Sequence, residues 1–171
     1  MVLPSQQDGV SLRWLWGVII VLIAADQISK QIMLDLVFMP PQVITVTGFF
    51  NLVPVWNPGI SFGLFADQPD LVRWGTSGLA GFIFIWLARH LSDFPPILKL
   101  AAAGVMAGGV GNMIDRILYG KVVDFIDLHI AGYHWPAFNL ADSAISIGVL
   151  LWIYAIVTGR DKKDVRDDGS N

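Results

Sequence analysis

Carboxylates, amides and a few cations stand inside or beside stretches of this chain that are otherwise apolar. Asp26 and Lys30 are spaced i and i+4, on one face of a helix. Asn112, Asp115 and Arg116 follow the i, i+3, i+4 pattern, and Asn139 and Asp142 are i and i+3. Asp124 sits between apolar neighbours in Val122-Val123-Asp124-Phe125. Ionisable groups at membrane depth are expensive and mark functional sites by default. Asp26 with Lys30 reads either as an ion pair that neutralises itself or as part of a site. Asp115 with Arg116 reads either as an interfacial anchor or as support for one. Asn139 suits a helix cap or a bridge between helices. Asp142 has no basic residue at helical spacing in its own span. If Asp124 and Asp142 meet, the two carboxylates cannot both ionise cheaply, so the pair holds one proton. The ionised member can take a proton from water while the protonated member donates to a carbonyl.

This is the arrangement of aspartic proteases, with Arg116, Asn112 and Asn139 placed to orient the carboxylates or offset their charge. Other chemistries fit less well. The chain has no cysteine, which removes thiolate nucleophiles, thiolate metal sites and disulfides. His129 and His134 are five apart with no third ligand at clear spacing, so no metal and no cofactor is expected. Ser143 has no nucleophile-elbow glycines around it. From Ile126 to Ile130 apolar and polar residues alternate, which predicts a strand with Asp127 facing water and without a role.

The elements that must position these groups are membrane spans. Of 171 residues, 54% are hydrophobic and only 15% charged, against about 25% charged in ordinary soluble domains. Intrinsic disorder is excluded, and the net charge of −3 argues against a nucleic-acid partner. A bilayer core of about 30 Å needs roughly 20 apolar residues in a helix. Four stretches come close to this, at about 12–36 (interrupted by Asp26, Lys30 and Asp35), 71–88, 97–114 and 137–157. Pro136 fits the first turn of the fourth. Trp14, Trp16, Trp74, Trp86, Trp135 and Trp152 lie near span ends, the depth that indoles prefer. Gly104 and Gly108 form a GxxxG face on the third span, with Gly111 one turn on. A rival reading takes Trp14 to Ala25 as the core of a leader cleaved after Ala25. It has a single basic Arg13 before it and a large Ile23 at the −3 position.

The tail carries Arg160, Lys162, Lys163 and Arg166, and the link between spans two and three carries Arg89 and Lys99. Segment 37–70 has no Lys or Arg, and segment 117–136 has only Lys121. The positive-inside rule predicts both termini in the cytoplasm and segments 37–70 and 117–136 outside. The expected domain is thus a single membrane unit over 1–171, with a cytoplasmic tail over 159–171 that is charged and disordered from Asp161 to Asn171. Val43 to Val55 reads as a bent sheet or hairpin around Gly48, Asn57-Pro58-Gly59 as a turn, and Ile60 to Phe65 as a short surface helix.

Five blocks resemble the lipoprotein signal peptidases, the type II signal peptidases of bacteria. They are Asp26-Gln27-Ile28-Ser29-Lys30, Asn57-Pro58-Gly59-Ile60-Ser61-Phe62, residues 108–116 (Gly-Gly-Val-Gly-Asn-Met-Ile-Asp-Arg), Val122-Val123-Asp124-Phe125, and Phe138-Asn139-Leu140-Ala141-Asp142-Ser143. The resemblance implies an all-α membrane protein, with four transmembrane helices, a small extracytoplasmic β-cradle and a short interfacial helix. It implies a membrane aspartic endopeptidase whose catalytic dyad is Asp124 and Asp142. Asn112, Arg116, Asn139 and Asp115 would support that dyad, and Asp26, Gln27, Lys30, Asn57 and Gly59 would act in structure or substrate positioning. The implied partner is a prolipoprotein bearing a diacylglyceryl cysteine, cut just before that cysteine, at the bacterial inner membrane among its lipids. The enzyme is expected to be monomeric. One departure is Pro58, where many members carry Thr. Two other classes stay open on the residues alone. A small transporter or channel subunit would also carry intramembrane Asp and Lys, but it usually builds midplane sites from inverted repeats. A purely structural bundle would not need Asp142 where it is.

Overall fold

A computed structural model of the chain describes residues 10–59 and 69–161. The expected surface helix at 60–65, and the tail from residue 162 with its expected disorder, lie outside the described residues. The elements are α1 (Leu12–Leu36), β1 (Ile44–Thr47), β2 (Phe50–Asn57), α2 (Pro69–His90), α3 (Pro96–Tyr119), β3 (Val122–Ile130), β4 (Tyr133–His134) and α4 (Leu140–Val157). All four helices are long and apolar enough to cross a membrane.

Helix α3 is the hub, packing on α1, α2 and α4 and carrying the most buried surface of the four. Proline at its N1 position starts it, and Gly120 ends it in the left-handed region at φ 74°. It runs past the expected end at Ile114 because Asp115 and Arg116 continue the helix rather than break it. The α3–α4 seam has almost no side chain in it. A Cβ added at Gly104 would lie 2.8 Å from the Ala144 carbonyl oxygen, and one at Gly108 would collide with that of Ala141. The expected small-residue face is thus where α4 packs closest. Helix α4 begins at Leu140, with Asn139 as its N-cap, so Pro136 precedes the helix instead of occupying its first turn.

The strands form one antiparallel sheet in the order β1-β2-β3-β4. Val55 pairs with Asp124 and Asn57 with Val122, across a ladder that slips between Leu52 and Val55. Pro54, which has no N–H to give a ladder, lies in that bulge. After β4 the chain returns along β3: the Phe138 carbonyl accepts from the amides of Phe125 and Ile126. That return sets Asn139 beside Asp124.

Strand β3 starts at Val122, four residues before the alternation predicted, and its faces correct the expectation for Asp127. Asp127 is 6% exposed, whereas Ile130 is 77% exposed. Asp127 lies on the same strand face as Val123 and Phe125, which pack on Leu34, Val37 and Phe38 at the end of α1. That face turns into the protein, and Leu128 and Ile130 turn out.

Candidate active site

A buried polar cluster ties the helices to the sheet. Lys30 is 2% exposed. Its ammonium lies 2.9 Å from Asp26 Oδ2 and 2.8 Å from Asp115 Oδ2. Asp26 with Lys30 is therefore not a self-contained pair, because one cation serves two carboxylates. The second negative charge is spread over neutral donors. Gln27 Nε2 lies 3.1 Å from both Asp26 Oδ2 and Asp115 Oδ1. The Ala141 amide donates to Asp26 Oδ1 at 2.9 Å, and the Val123 amide to Asp115 Oδ2 at 3.1 Å. Taking an ion out of water costs several kcal/mol, so such a cluster holds only when every oxygen finds a donor. The two backbone contacts also fix the first turn of α4 and the start of β3. Gly111 makes room for this, since a Cβ there would sit 2.5 Å from Asp26 Oδ2.

From that cluster two asparagines reach outward. Lys30 Nζ donates to Asn112 Oδ1 at 3.0 Å, which turns Asn112 Nδ2 toward Asp142 Oδ1 at 2.7 Å. Asn139 caps α4 reciprocally: its Oδ1 accepts from the Asp142 amide at 2.9 Å, and its own amide donates to Asp142 Oδ2 at 3.2 Å. Its Nδ2 then donates to Asp124 Oδ1 at 2.7 Å. Asn139 is thus the cap its position allowed and, through Asn112 Oδ1 at 3.1 Å, the bridge between helices; its reach to Asp124 on β3 is a further contact. On the far side, Asn57 Nδ2 donates to Asp124 Oδ2 at 2.8 Å, and the Gly59 amide holds Asn57 Oδ1 at 2.7 Å. Among the described residues, each oxygen of Asp124 and Asp142 faces an uncharged N–H donor.

Asp124 is fully buried. Burial raises its carboxyl to about pH 6, and the nearby negative charge of Asp142 adds to the rise. The hydrogen bonds from Asn57 and Asn139 and the charge of Lys30 pull the other way. Asp142 is half-buried and opens on a cavity of about 350 Å³ lined by Trp135, Phe138, Ser143, Ser146 and Ile147. The Ser143 hydroxyl donates to the Asn139 carbonyl of its own helix. Arg116 and Asp115 separate. Asp115 goes to Lys30, while Arg116 Nη1 donates to the Asn112 carbonyl at 3.3 Å and its guanidinium lies beside Gly59. The anchor reading of that pair is thereby replaced by two distinct placements.

All eleven candidate residues therefore fall in one connected region. Sequence reasoning missed a second polar group nearby. Asp127 Oδ2 accepts from Asn51 at 2.8 Å, and its Oδ1 lies 2.8 Å from His134 Nδ1, with the His129 ring stacked on that of His134. Burial opposes ionisation here, but these hydrogen bonds and the imidazole charge hold the Asp127 carboxyl below the ordinary carboxylate range. The signal for it was pairing register: Asn51 stands directly opposite Asp127 on β2. The lining residues Trp135, Phe138 and Ser146 were also missed as a group, because they come from separate turns of the chain.

The family model described as signal peptidase (SPase) II matches residues 18–158. A lipoprotein signal peptidase of Desulforapulum autotrophicum is 39% identical over 141 residues, covering 80% of this chain and 87% of that protein. One of Janthinobacterium sp. is 44% identical over 147 residues, covering 84% and 87%. A bacterial membrane enzyme solved by the in meso method at 2.3 Å superposes with a TM-score of 0.75 at 28% identity, over 93% of this chain and 96% of that one. With four apolar helices around one buried carboxylate network and a match over most of its length, the chain belongs to the signal peptidase II family.

Proposed function

We propose that this protein is an aspartic endopeptidase. It removes the signal peptide of diacylglyceryl-modified prolipoproteins by cutting just before the lipidated cysteine. The observation that carries the reading is that Asp124 and Asp142, from a strand and a helix, are both hydrogen-bonded by the one residue Asn139. The resting pair holds one proton. The ionised carboxylate takes a proton from water as the water oxygen bonds to the scissile carbonyl carbon. The protonated carboxyl gives its proton to the carbonyl oxygen, forming a gem-diol. On collapse, the carboxylate just vacated takes a proton back from the diol. Its partner donates the water-derived proton to the leaving nitrogen, and the C–N bond breaks. Products are a signal peptide with a free carboxyl end and a lipoprotein with a free cysteine amine, and the pair again holds one proton. No metal or cofactor enters these steps.

Asn112, Asn139 and Asn57 aim the carboxylates; Lys30 holds Asn112 and is itself held by Asp115 and Asp26 with Gln27; the Gly59 amide holds Asn57, and Arg116 lies beside Gly59. The apolar cavity beside Asp142 suits acyl chains next to the scissile bond. The Lys and Arg asymmetry supports cytoplasmic termini and a site near the outer leaflet of the inner membrane. We take 1–171 as one membrane unit acting as a monomer. The test is cleavage of a lipidated prolipoprotein in liposomes. Asp124→Asn and Asp142→Asn should each abolish cleavage, and the double variant should lose little more, because the pair acts as one unit. Substantial cleavage by either well-folded single variant refutes the mechanism.

A further inference from the structure

Helix α2 packs mainly on α3 and makes no substantial contact with α4 among the described residues. At the end of the bundle away from Asp142, this leaves a second cavity of about 360 Å³ between the three helices. Its lining is wholly apolar and includes Ile83, Trp86, Val105, Val149, Trp152 and Ile153. Neither the dyad nor the polar cluster uses it.

The two cavities share one edge. Asp142 and Ser146 line the first, and Val149 and Ile153 line the second. These four residues are spaced +4, +3, +4 along α4, so they stand one above another on a single stripe. At 1.5 Å per residue the stripe runs about 16 Å from Asp142 to Ile153. The apolar region of a signal peptide has roughly 7 to 15 residues, about 10 to 22 Å as a helix. With no substantial contact between α2 and α4 to close that side, a segment already in the bilayer can enter between them without crossing water.

We propose that this second cavity holds the N-terminal part of the substrate's apolar signal segment, with the stripe Asp142–Ser146–Val149–Ile153 as its track to the scissile bond. The inference rests on the reading of Asp142 as a catalytic residue, which fixes where the track ends. The inner cavity then selects substrates by the length of their apolar segment.

The test exploits the absence of cysteine from the chain. The substrate's lipobox cysteine is blocked as a thioether. A single cysteine is placed at the start of the apolar segment of a lipidated prolipoprotein, and oxidative cross-linking is read in liposomes. Ile153→Cys should cross-link at least tenfold more than Tyr154→Cys, which lies at the same depth outside both cavities. Equal yields, or none at Ile153→Cys because a bilayer acyl chain fills the cavity, overturn the proposal. In a second measurement Val149→Trp should raise KM about tenfold with kcat retained. A substrate whose apolar segment is shortened by two turns should escape this effect, and Leu150→Trp should leave both substrates unaffected. An equal effect of Val149→Trp on both substrates overturns length selection. The cross-link should survive in Asp142→Asn, so failure of the dyad and failure of the track are read separately.

Discussion

Replacing Asn57 with alanine removes one of the two side-chain amides that Asp124 accepts from, a contact of 2.8 Å. The donor favours the ionised carboxylate, so its loss favours the protonated form. A hydrogen bond to a charged group contributes about 1.5–3 kcal/mol, and about 1.4 kcal/mol corresponds to one pH unit in a titration. Asn57 is half-buried, so water takes over part of its role and the lower figure applies. In the proposed mechanism the singly protonated pair is the working form, and it should be lost above about pH 6, where Asp124 gives up its proton. The descending limb of kcat/KM reports that loss in the free enzyme. In Asn57→Ala the limb should move to higher pH by about one pH unit. The assay is cleavage of a lipidated prolipoprotein in liposomes from pH 4 to 9, beside a thermal melt to show that the variant is folded. The apparent value belongs to the pair, so the comparison is between limbs and not between residues. A limb that stays in place, or moves to lower pH in a folded variant, refutes the role given to Asn57.

Lys30→Met leaves Asp26 and Asp115 buried without a cation, and should destabilise the protein by about 3–5 kcal/mol. Adding Asp26→Asn should recover part of that loss in a melting experiment. Asp127→Ala should lower stability by about 1–3 kcal/mol through the unpaired Asn51 and His134 while cleavage at neutral pH persists. Because the Asp127 carboxyl is held low, its contribution is present above about pH 4 and lost as pH falls further. The gap between the melting points of wild type and Asp127→Ala should therefore close in acid, and a gap independent of pH counts against the pairing. Single cysteines at Ser61 and Lys121 should react with an impermeant reagent from outside, and one at Ser170 only from inside. External labelling at Ser170 overturns the orientation.

The four spans were legible because bilayer thickness imposes a length and a composition on every crossing helix, and Asp26, Lys30, Asp115 and Asp142 stood out as charges in apolar surroundings. How they pair was not legible. Helical spacing joins Asp26 to Lys30 but is blind to Asp115, which arrives from another helix. Asp127 was assigned to the wrong face because alternation defines two faces without saying which one a core covers. That choice was made by Val123 and Phe125 packing on the end of α1, and it needed the register with Asn51. The bridging role of Asn139 depended on Phe138 lying alongside Ile126, a tertiary fact with no local signature. The start of α4 was misplaced for a related reason. Proline favours a first turn, but the reciprocal cap of Asn139 and Asp142 set the start at Leu140, four residues beyond Pro136.

The glycine seam between α3 and α4 makes the separation of these helices a dimension set by atoms that are missing. Asparagine is short, and its reach from Asn112 to Asp142 spans 2.7 Å only while the two backbones touch. A single methyl group at Gly108 would meet the Ala141 carbonyl and wedge the helices apart. A displacement on the order of 1 Å is enough to cost a hundredfold in rate, although Gly108 touches neither carboxylate. The limit is mutual: on α4 a Cβ at Gly148 would lie 2.6 Å from the Ala101 carbonyl oxygen, whereas Leu150 and Val157 on its outward face meet no such limit. Freedom to vary along α4 is therefore divided by azimuth, with one side open to almost any apolar residue and the other unable to accept one carbon.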